Sequence, residues 1–303
     1  MRQADIRLPD QGFPAPLSPG FLAQCACLLE VTARKAGNVH RERDFDDAHY
    51  VDFLLGAAAI TAPLDRARAI GIGPAVLEAV RATRRVVATN TNLGSVLLLA
   101  PLAAVPENVS LEIGIGPVLA ATTVADAREV YEAIRLAQPG GLGTVAAEDV
   151  AGTPTVTLLE AMRLASKRDL VALQYANAFA ETFGLALPAL RSALAAGRPL
   201  EQAIIFTHLT LLARCPDTLI ARKLGVPEAA EAARLAAEVL AAGWPDSPSG
   251  CLRFEALDAW LRARGHARNP GTTADLVAAA LFAALRDGTI RLPKQPGAIG
   301  WEC

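Results

Sequence analysis

The densest group of chemically active side chains lies in ARKAGNVHRERDFDD, residues 33–47. Its charged and polar members include Lys35, Asn38, His40, Arg41, Arg43, Asp44, Asp46 and Asp47. Acids packed this closely repel one another, and a bound divalent cation would relieve the repulsion while the nearby cations hold phosphate oxygens. One helix cap needs only one acid, so capping by Asp46 or Asp47 explains only part of the group. The stretch is therefore a candidate site for a metal and a phosphate.

A second polar stretch, TNTNLGS at 89–95, directly precedes an apolar helical pattern. Asn90 and Asn92 are suited to capping the start of that helix. The same helix start could instead bind a phosphate through its free amides, because Gly94 would allow close approach. The pattern leaves both interpretations open.

A third stretch, PGGLGTVAAEDVAGTP at 139–154, combines three closely spaced glycines with the adjacent acids Glu148 and Asp149. Glycines let the backbone turn tightly against a ligand, and carboxylates are the oxygen ligands that Mg²⁺ prefers. The stretch matches no nucleotide-binding fingerprint, because no GKS or GKT follows the glycines. An ordinary interhelical loop is the alternative.

The fourth stretch is NPGTTADL at 269–276. Asn269 with Pro270, or Thr272 with Asp275, would serve as helix-start signals. A smaller cluster, CPDTLIARKLG at 215–225, places Asp217 at another predicted helix start. The four longer stretches are called the polar islands below, and each precedes a predicted helix.

The elements that must position these residues are predicted to be helices. Alanine and leucine dominate a chain of 303 residues that is 52% hydrophobic and 5% aromatic, which favours packed helices over sheets. Periodicity predicts helices at 19–34, 47–63, 74–88, 93–105, 124–137, 155–166, 168–183, 187–196, 200–213, 217–224, 227–242, 253–264 and 272–286. Residues 105–122 are predicted to be irregular, with a weak strand signal. We expect an all-α, single-domain bundle at 18–290, an irregular segment at 1–17 and a tail at 291–303, with the site at clustered helix N-termini.

Composition also excludes several classes of function. The apolar runs are shorter than the ~20 residues of a spanning helix, and the N-terminus lacks the pattern of a signal peptide. A formal net charge of −2 provides no general field for nucleic acid. The five cysteines have no zinc-ligand spacing. These features predict a cytoplasmic protein that binds neither membrane nor nucleic acid, and they leave a homo-oligomer open.

Taken in order, the polar islands and the 215–225 cluster resemble the motifs of the triphosphoribosyl-dephospho-CoA synthase family across about residues 25 to 285, and NPGTTADL is the closest match. Two motifs differ. The family's Lys-Pro-Gly-Leu-Val-Asp reads Lys-Ala-Gly-Asn-Val-His at 35–40, and its Asn-Thr-His-Lys-Gly reads Asn-Thr-Asn-Leu-Gly at 90–94. Members are all-helical and transfer the ribose triphosphate of ATP onto 3′-dephospho-CoA with release of adenine. The resemblance implies this reaction, or transfer onto a related nucleotide-like acceptor.

The resemblance also implies roles for particular residues and a Mg²⁺ cofactor. The predicted catalytic residues are Asp46, Glu148 and Asp275. The predicted metal ligands are Asp44, Asp46, Glu148 and Asp149. The predicted substrate-binding residues are Lys35, Asn38, His40, Asn90, Asn92, Gly94, Asp217, Asn269 and Thr273. The alternatives are a Mg²⁺-dependent helical hydrolase of an ADP-ribose-like or nucleotide substrate, which would use the same acids with water as acceptor, and a scaffold in which the islands only cap helices.

Overall fold

A computed structural model describes residues 17–140 and 150–292. The α-helices of these ranges are, in chain order, α1 (Pro19–Thr32), α2 (Tyr50–Ala59), α3 (Thr61–Asp65), α4 (Ala67–Ile70), α5 (Ile72–Arg84), α6 (Leu93–Ala104), α7 (Leu111–Ala120), α8 (Val124–Ala137), α9 (Leu158–Ala165), α10 (Leu170–Ala176), α11 (Leu187–Ala195), α12 (Leu200–Arg214), α13 (Thr218–Leu224), α14 (Val226–Ala241), α15 (Pro248–Arg262) and α16 (Gly271–Arg286). A π-helical turn, Thr182–Ala186, and a short extended segment, Ala263–His266, accompany them. The predicted all-α class is confirmed.

Two apolar helices, α6 and α16, form the centre of the bundle. Every residue of α6 except Gly94 is buried, and α16 is buried continuously from Leu276 to Leu285. A helix that is apolar on all sides must be surrounded by other helices, and α6 and α16 pack against each other while α1 covers α16. Both central helices begin at a polar island, so their packing brings two islands together.

The segment after α6 departs from the sequence prediction. Irregular chain with a weak strand signal was expected there, but the structure forms α7. A Cβ at Gly114 would lie 3.1 Å from Val109 Cγ1 and overlap Val105, so this glycine permits close packing and does not break the helix. Pro117 lies in the last turns of α7, where its missing N–H costs a single backbone bond. The prediction was wrong because the sequence does not distinguish a glycine that packs from one that turns.

The single helix predicted at 168–183 is also interrupted. Helix α10 ends at Ala176, and Ala178 and Phe179 then adopt positive φ angles of 55° and 64°. The buried Gln174 side chain stabilises the break, since its Oε1 accepts hydrogen bonds from Thr182 N at 3.2 Å and Thr182 Oγ1 at 2.9 Å. A side-chain acceptor of this kind can replace helical backbone pairing, and periodicity does not reveal it.

Within residues 17–140 and 150–292, no single helix is long and apolar enough to cross a membrane. Helices α12 and α13 would reach that length only together, and they are bent by 53° at the break between them. The proposed boundaries at 1–17, 18–290 and 291–303 stay a prediction, because residues 1–16 and 293–303 lie outside the described ranges.

Candidate active site

One cavity of about 540 Å³ is lined by residues from all four polar islands and from the 215–225 cluster. The packing of α6 on α16 places the second and fourth islands side by side at its base. The first island contributes Asn38 and Asp47, and the 215–225 cluster contributes Arg222 and Lys223. Carboxylates, amides and cations that are far apart in sequence therefore face one space of the size of a ligand pocket.

Asp275 lies against the first turn of α6. Its Oδ1 accepts a hydrogen bond from Ser95 Oγ at 2.7 Å. A Cβ at Gly94 would overlap the Asp275 carboxyl group, at 2.5 Å from its Cγ. Gly94, which was predicted to approach phosphate, thus provides space for an acid. The capping box that Thr272 and Asp275 could have formed is not present, because the side chain of Asp275 is used by Ser95 and α16 has no side-chain cap.

The environment of Asp275 favours its protonated form. Burial raises the pKa of Asp275 to about 8, against the opposing effect of the Ser95 hydrogen bond. The charge of Glu30, which also lines the cavity, raises this pKa further. A carboxyl group that keeps its proton at neutral pH can donate it to a reacting group.

Lys35 does not line the cavity, although it was predicted to bind substrate. Its side chain is 0% exposed, and Nζ forms an ion pair with Glu30 Oε1 at 2.9 Å. Nζ also donates to the carbonyl oxygens of Glu30 and Ala33. A buried ammonium needs such partners, and here they all belong to the protein. Lys35 therefore holds Glu30 in place from behind the cavity wall.

We expect Lys35→Ala to lower the free energy of unfolding by about 3–5 kcal/mol, because it leaves the largely buried Glu30 carboxylate unpaired. Urea unfolding at neutral pH measures this change. Lys167→Ala, at an exposed lysine, is the matched control and should unfold like the wild type. Wild-type stability together with weaker ATP binding would show instead that Lys35 contacts the substrate.

The asparagines of the second island line the cavity and also fold the loop before α6. Asn90 Oδ1 accepts a hydrogen bond from Leu93 N at 3.1 Å, and Asn92 Nδ2 donates to Thr83 Oγ1 at 3.1 Å. Asn90 therefore has the capping role considered for it, while Asn92 anchors the loop to α5. Thr91 Oγ1 between them is buried and has no hydrogen-bond partner among the described residues.

The first and fourth islands meet through their asparagines. Asn38 Nδ2 donates to Asn269 Oδ1 at 2.6 Å, and both residues line the cavity. His40 is buried nearby but is not part of the lining. Burial lowers the pKa of His40 to about 4, and the charge of Arg262 acts in the same direction. His40 is thus a neutral residue behind the wall, not a substrate contact in this structure.

Asp217 and Thr273 form hydrogen bonds with each other and do not line the cavity. Asp217 Oδ1 accepts from Leu219 N at 2.8 Å and Ile220 N at 3.1 Å, which caps α13. Its Oδ2 accepts from Thr273 N at 2.7 Å and Thr273 Oγ1 at 2.8 Å. The carboxylate is fully buried and has no lone pair left for a ligand. The prediction that these two residues bind substrate is corrected to a structural link between α13 and α16.

The predicted metal ligands are only partly described. Asp44 and Asp46 are exposed and absent from the cavity lining, and Asp44 Oδ1 instead accepts from Tyr50 N at 2.6 Å. Asp47 does line the cavity, where its Oδ1 lies 2.8 Å from His266 Nδ1. Glu148 and Asp149 lie outside the described residues. Within the described ranges, no group of three His, Cys, Asp or Glu side chains is arranged to hold a metal ion.

Several lining residues were not among the predicted site residues. The acidic, basic and histidine side chains among them are Glu30, Asp47, Arg168, Asp169, Arg222, Lys223 and His266. Arg222 and Lys223 carried a signal, because they belong to a motif of the resemblance, yet the helix dipole alone also favours cations at the end of a helix. Glu30 lies within an apolar helix. Its only signal in the sequence was that a charged residue stands among hydrophobic ones.

The fold and cavity define an all-α bundle whose pocket combines carboxyl groups, amides and cations. The sequence model of the family described as CitG, ATP:dephospho-CoA triphosphoribosyl transferase, matches residues 16–293. The chain belongs to this family and is therefore a transferase. No curated protein sequence matches it significantly.

A crystal structure from Archaeoglobus fulgidus, described provisionally as a triphosphoribosyl-dephospho-CoA synthase, superimposes with a TM-score of 0.59 and 24% sequence identity. The match covers 78% of this chain and 99% of the archaeal one. At this identity the likeness shows the shared fold.

Proposed function

We propose that the chain transfers the 5-triphosphoribosyl group of ATP onto 3′-dephospho-CoA, or onto a related nucleotide-like acceptor, with release of adenine. The observation that carries the proposal is the single cavity in which the Asp275 and Glu30 carboxyl groups share the lining with Arg168, Arg222 and Lys223. Such a cavity suits a substrate that has a reacting sugar at one end and several phosphates at the other. Family membership supports the same reaction.

In this reaction the bond between C1′ of the ribose and adenine breaks, and a bond forms between C1′ and the acceptor 2′-oxygen. The proton lost by the acceptor hydroxyl balances the proton gained by adenine. Asp275 is suited to protonating the departing base, because its raised pKa keeps the proton available at neutral pH. Glu30, ion-paired with Lys35, is placed to stabilise positive charge that develops on the ribose.

Mg²⁺ is proposed as part of the nucleotide substrate. Asp44 and Asp46 do not line the cavity, and Glu148 and Asp149 lie outside the described residues, so the predicted resident metal site stays a prediction. A triphosphate in solution carries Mg²⁺ with it, and the metal neutralises charge that an apolar helical protein would otherwise have to compensate. We therefore propose MgATP as the form that binds.

The test is adenine release, followed by chromatography, from the protein with ATP, Mg²⁺ and 3′-dephospho-CoA. We expect adenine to appear only when the acceptor is present, together with a stoichiometric amount of triphosphoribosylated acceptor. Coenzyme A, which has a phosphate next to the accepting hydroxyl, is the matched control acceptor. Equal adenine release with and without acceptor would indicate hydrolysis and contradict the transferase proposal.

A further inference from the structure

Three cations of the cavity wall take no part in the breaking or forming of the bonds at C1′. Arg168 lies just before α10, and Arg222 and Lys223 lie in the last turn of α13. The name cation group is used below for these three residues.

Asp169 brings the cation group together. Its Oδ1 caps α10 by accepting from Val171 N at 2.8 Å and Ala172 N at 3.2 Å. Its Oδ2 forms an ion pair with the guanidinium of Arg222. Because Arg168 is the preceding residue, the same short segment carries one cation and anchors another. The position of Arg222 beside Arg168 therefore results from the hydrogen bonds and the ion pair of Asp169.

The cation group has far more hydrogen-bond donors than acceptors. Two arginines and a lysine offer about thirteen N–H bonds. Within the described residues, the acceptors are Asp169 Oδ2 for Arg222 and the His266 carbonyl oxygen, at 3.2 Å from Lys223 Nζ. Arg222 Nε is buried without a partner, and the exposed Arg168 makes no side-chain hydrogen bond or ion pair, both within the described part of the chain. A buried donor without an acceptor is rare in proteins, so Arg222 Nε indicates a missing acceptor, and the cations around it favour an anion.

Charge leads to the same conclusion. Three carboxylates act on the cation group: Asp169 pairs with Arg222, Asp47 contacts His266, and Asp217 already accepts hydrogen bonds from α13 and Thr273. In the described part of the chain, only Asp169 forms an ion pair with a member of the group. Burial lowers the pKa of Lys223 and the charge of Asp47 offsets this only in part, so an incoming anion would further stabilise the ammonium form.

We propose that Arg168, Arg222 and Lys223 form the subsite for the triphosphate chain of the substrate, an inference that rests on the proposed function. The subsite lies on the same cavity as Asp275, and Asp217 links the start of α13 to the start of α16. A nucleotide can therefore place its phosphates on the cation group while its ribose lies near Asp275. Lys35, which was expected to bind phosphate, is already neutralised by Glu30.

The test uses inorganic tripolyphosphate as the probe, with its dissociation constant measured by calorimetry. We expect the wild type to bind tripolyphosphate, and Arg168→Ala combined with Lys223→Gln to weaken that binding at least ~10-fold, the scale of losing charge-assisted hydrogen bonds. Arg222 is left intact because its ion pair with Asp169 supports the fold. Arg163→Ala is the matched control, since this exposed arginine lies outside the cavity lining and should leave binding unchanged.

Failure of the subsite and failure of the proposed function give different results. Unchanged tripolyphosphate affinity in the double variant, or a wild type that does not bind the probe, overturns the subsite. Adenine release by the wild type in the presence of acceptor would still support the transferase activity in that case. If tripolyphosphate binds through the cation group but no adenine is released with any acceptor, the subsite stands and the proposed reaction falls.

Discussion

Asp275→Asn should fold normally and turn over at least ~100-fold more slowly, the scale expected for losing a positioned acid–base group. The asparagine keeps the shape of the side chain and an oxygen that can accept the Ser95 hydrogen bond. It cannot donate a carboxyl proton. For the wild type we expect kcat/KM to fall as pH rises through about 8, where Asp275 loses its proton. Steady-state rates between pH 6 and 9.5 measure both effects.

Thermal melts on the same preparations separate catalysis from stability. The folded state raises the Asp275 pKa to about 8, so the folded protein binds this proton more tightly than the unfolded chain does. The resulting stabilisation is complete below about pH 4, the ordinary pKa of an aspartate, and is lost as pH rises to about 8. The Asp275→Asn variant does not lose this stabilisation. The Tm of the variant minus the Tm of the wild type should therefore increase as pH rises from about 4 to about 8. A lower Tm with normal turnover would show that Asp275 only supports the fold.

Gly94→Ala should reduce turnover on a similar scale, at least ~100-fold, because it displaces the acid whose loss carries that cost. The added methyl group would overlap the Asp275 carboxyl group and force the side chain away from Ser95. Steady-state rates measure the loss, and circular dichroism tests whether the helical fold is kept. Gly116→Ala in α7 is the matched control, since nothing lies within 4 Å of its Cβ position, and it should leave activity unchanged.

A double-mutant cycle tests the reason for the Gly94 effect. In an Asp275→Ala background the carboxyl group is gone, so Gly94→Ala should cause little further loss of turnover or stability. Equal losses in the two backgrounds would contradict the close approach of these residues. They would indicate that Gly94 acts elsewhere, for example on the substrate, as the sequence had suggested.

The sequence predicted the helical elements well where apolar periodicity and a start signal coincided. Helix α8 has the predicted bounds, and its start is a capping box between Thr123 and Asp126. Helix α15 begins earlier than predicted, because Ser247 and Pro248 start it ahead of its apolar pattern. The errors at α7 and after α10 arise from tertiary contacts. Gly114 packs against a neighbouring side chain, and Gln174 replaces backbone partners, which a one-dimensional pattern does not record.

The candidate site could be located from the sequence more reliably than its residues could be given roles. The islands were recognisable as polar interruptions at helix starts, and the cavity collects them. The sequence did not show towards which side of the cavity wall each side chain points. Lys35 and His40 point behind the wall, while Glu30 reaches the cavity from an apolar helix. Which side of a wall a side chain faces depends on helix rotation and crossing, and these are set by the whole core.

The bond between Asp217 and Thr273 has a consequence for how the enzyme would measure its substrate. One buried carboxylate fastens the first turn of α13 to the first turn of α16, so the two helices cannot slide past each other without losing it. Along α13 Arg222 and Lys223 follow this joint, and along α16 Asp275 follows it two residues after Thr273. The bond thus keeps the phosphate-binding cations at a fixed distance from Asp275. A nucleotide with fewer phosphates would be too short to reach both places. It could contact the cations or place its ribose near Asp275, but it could not do both at once.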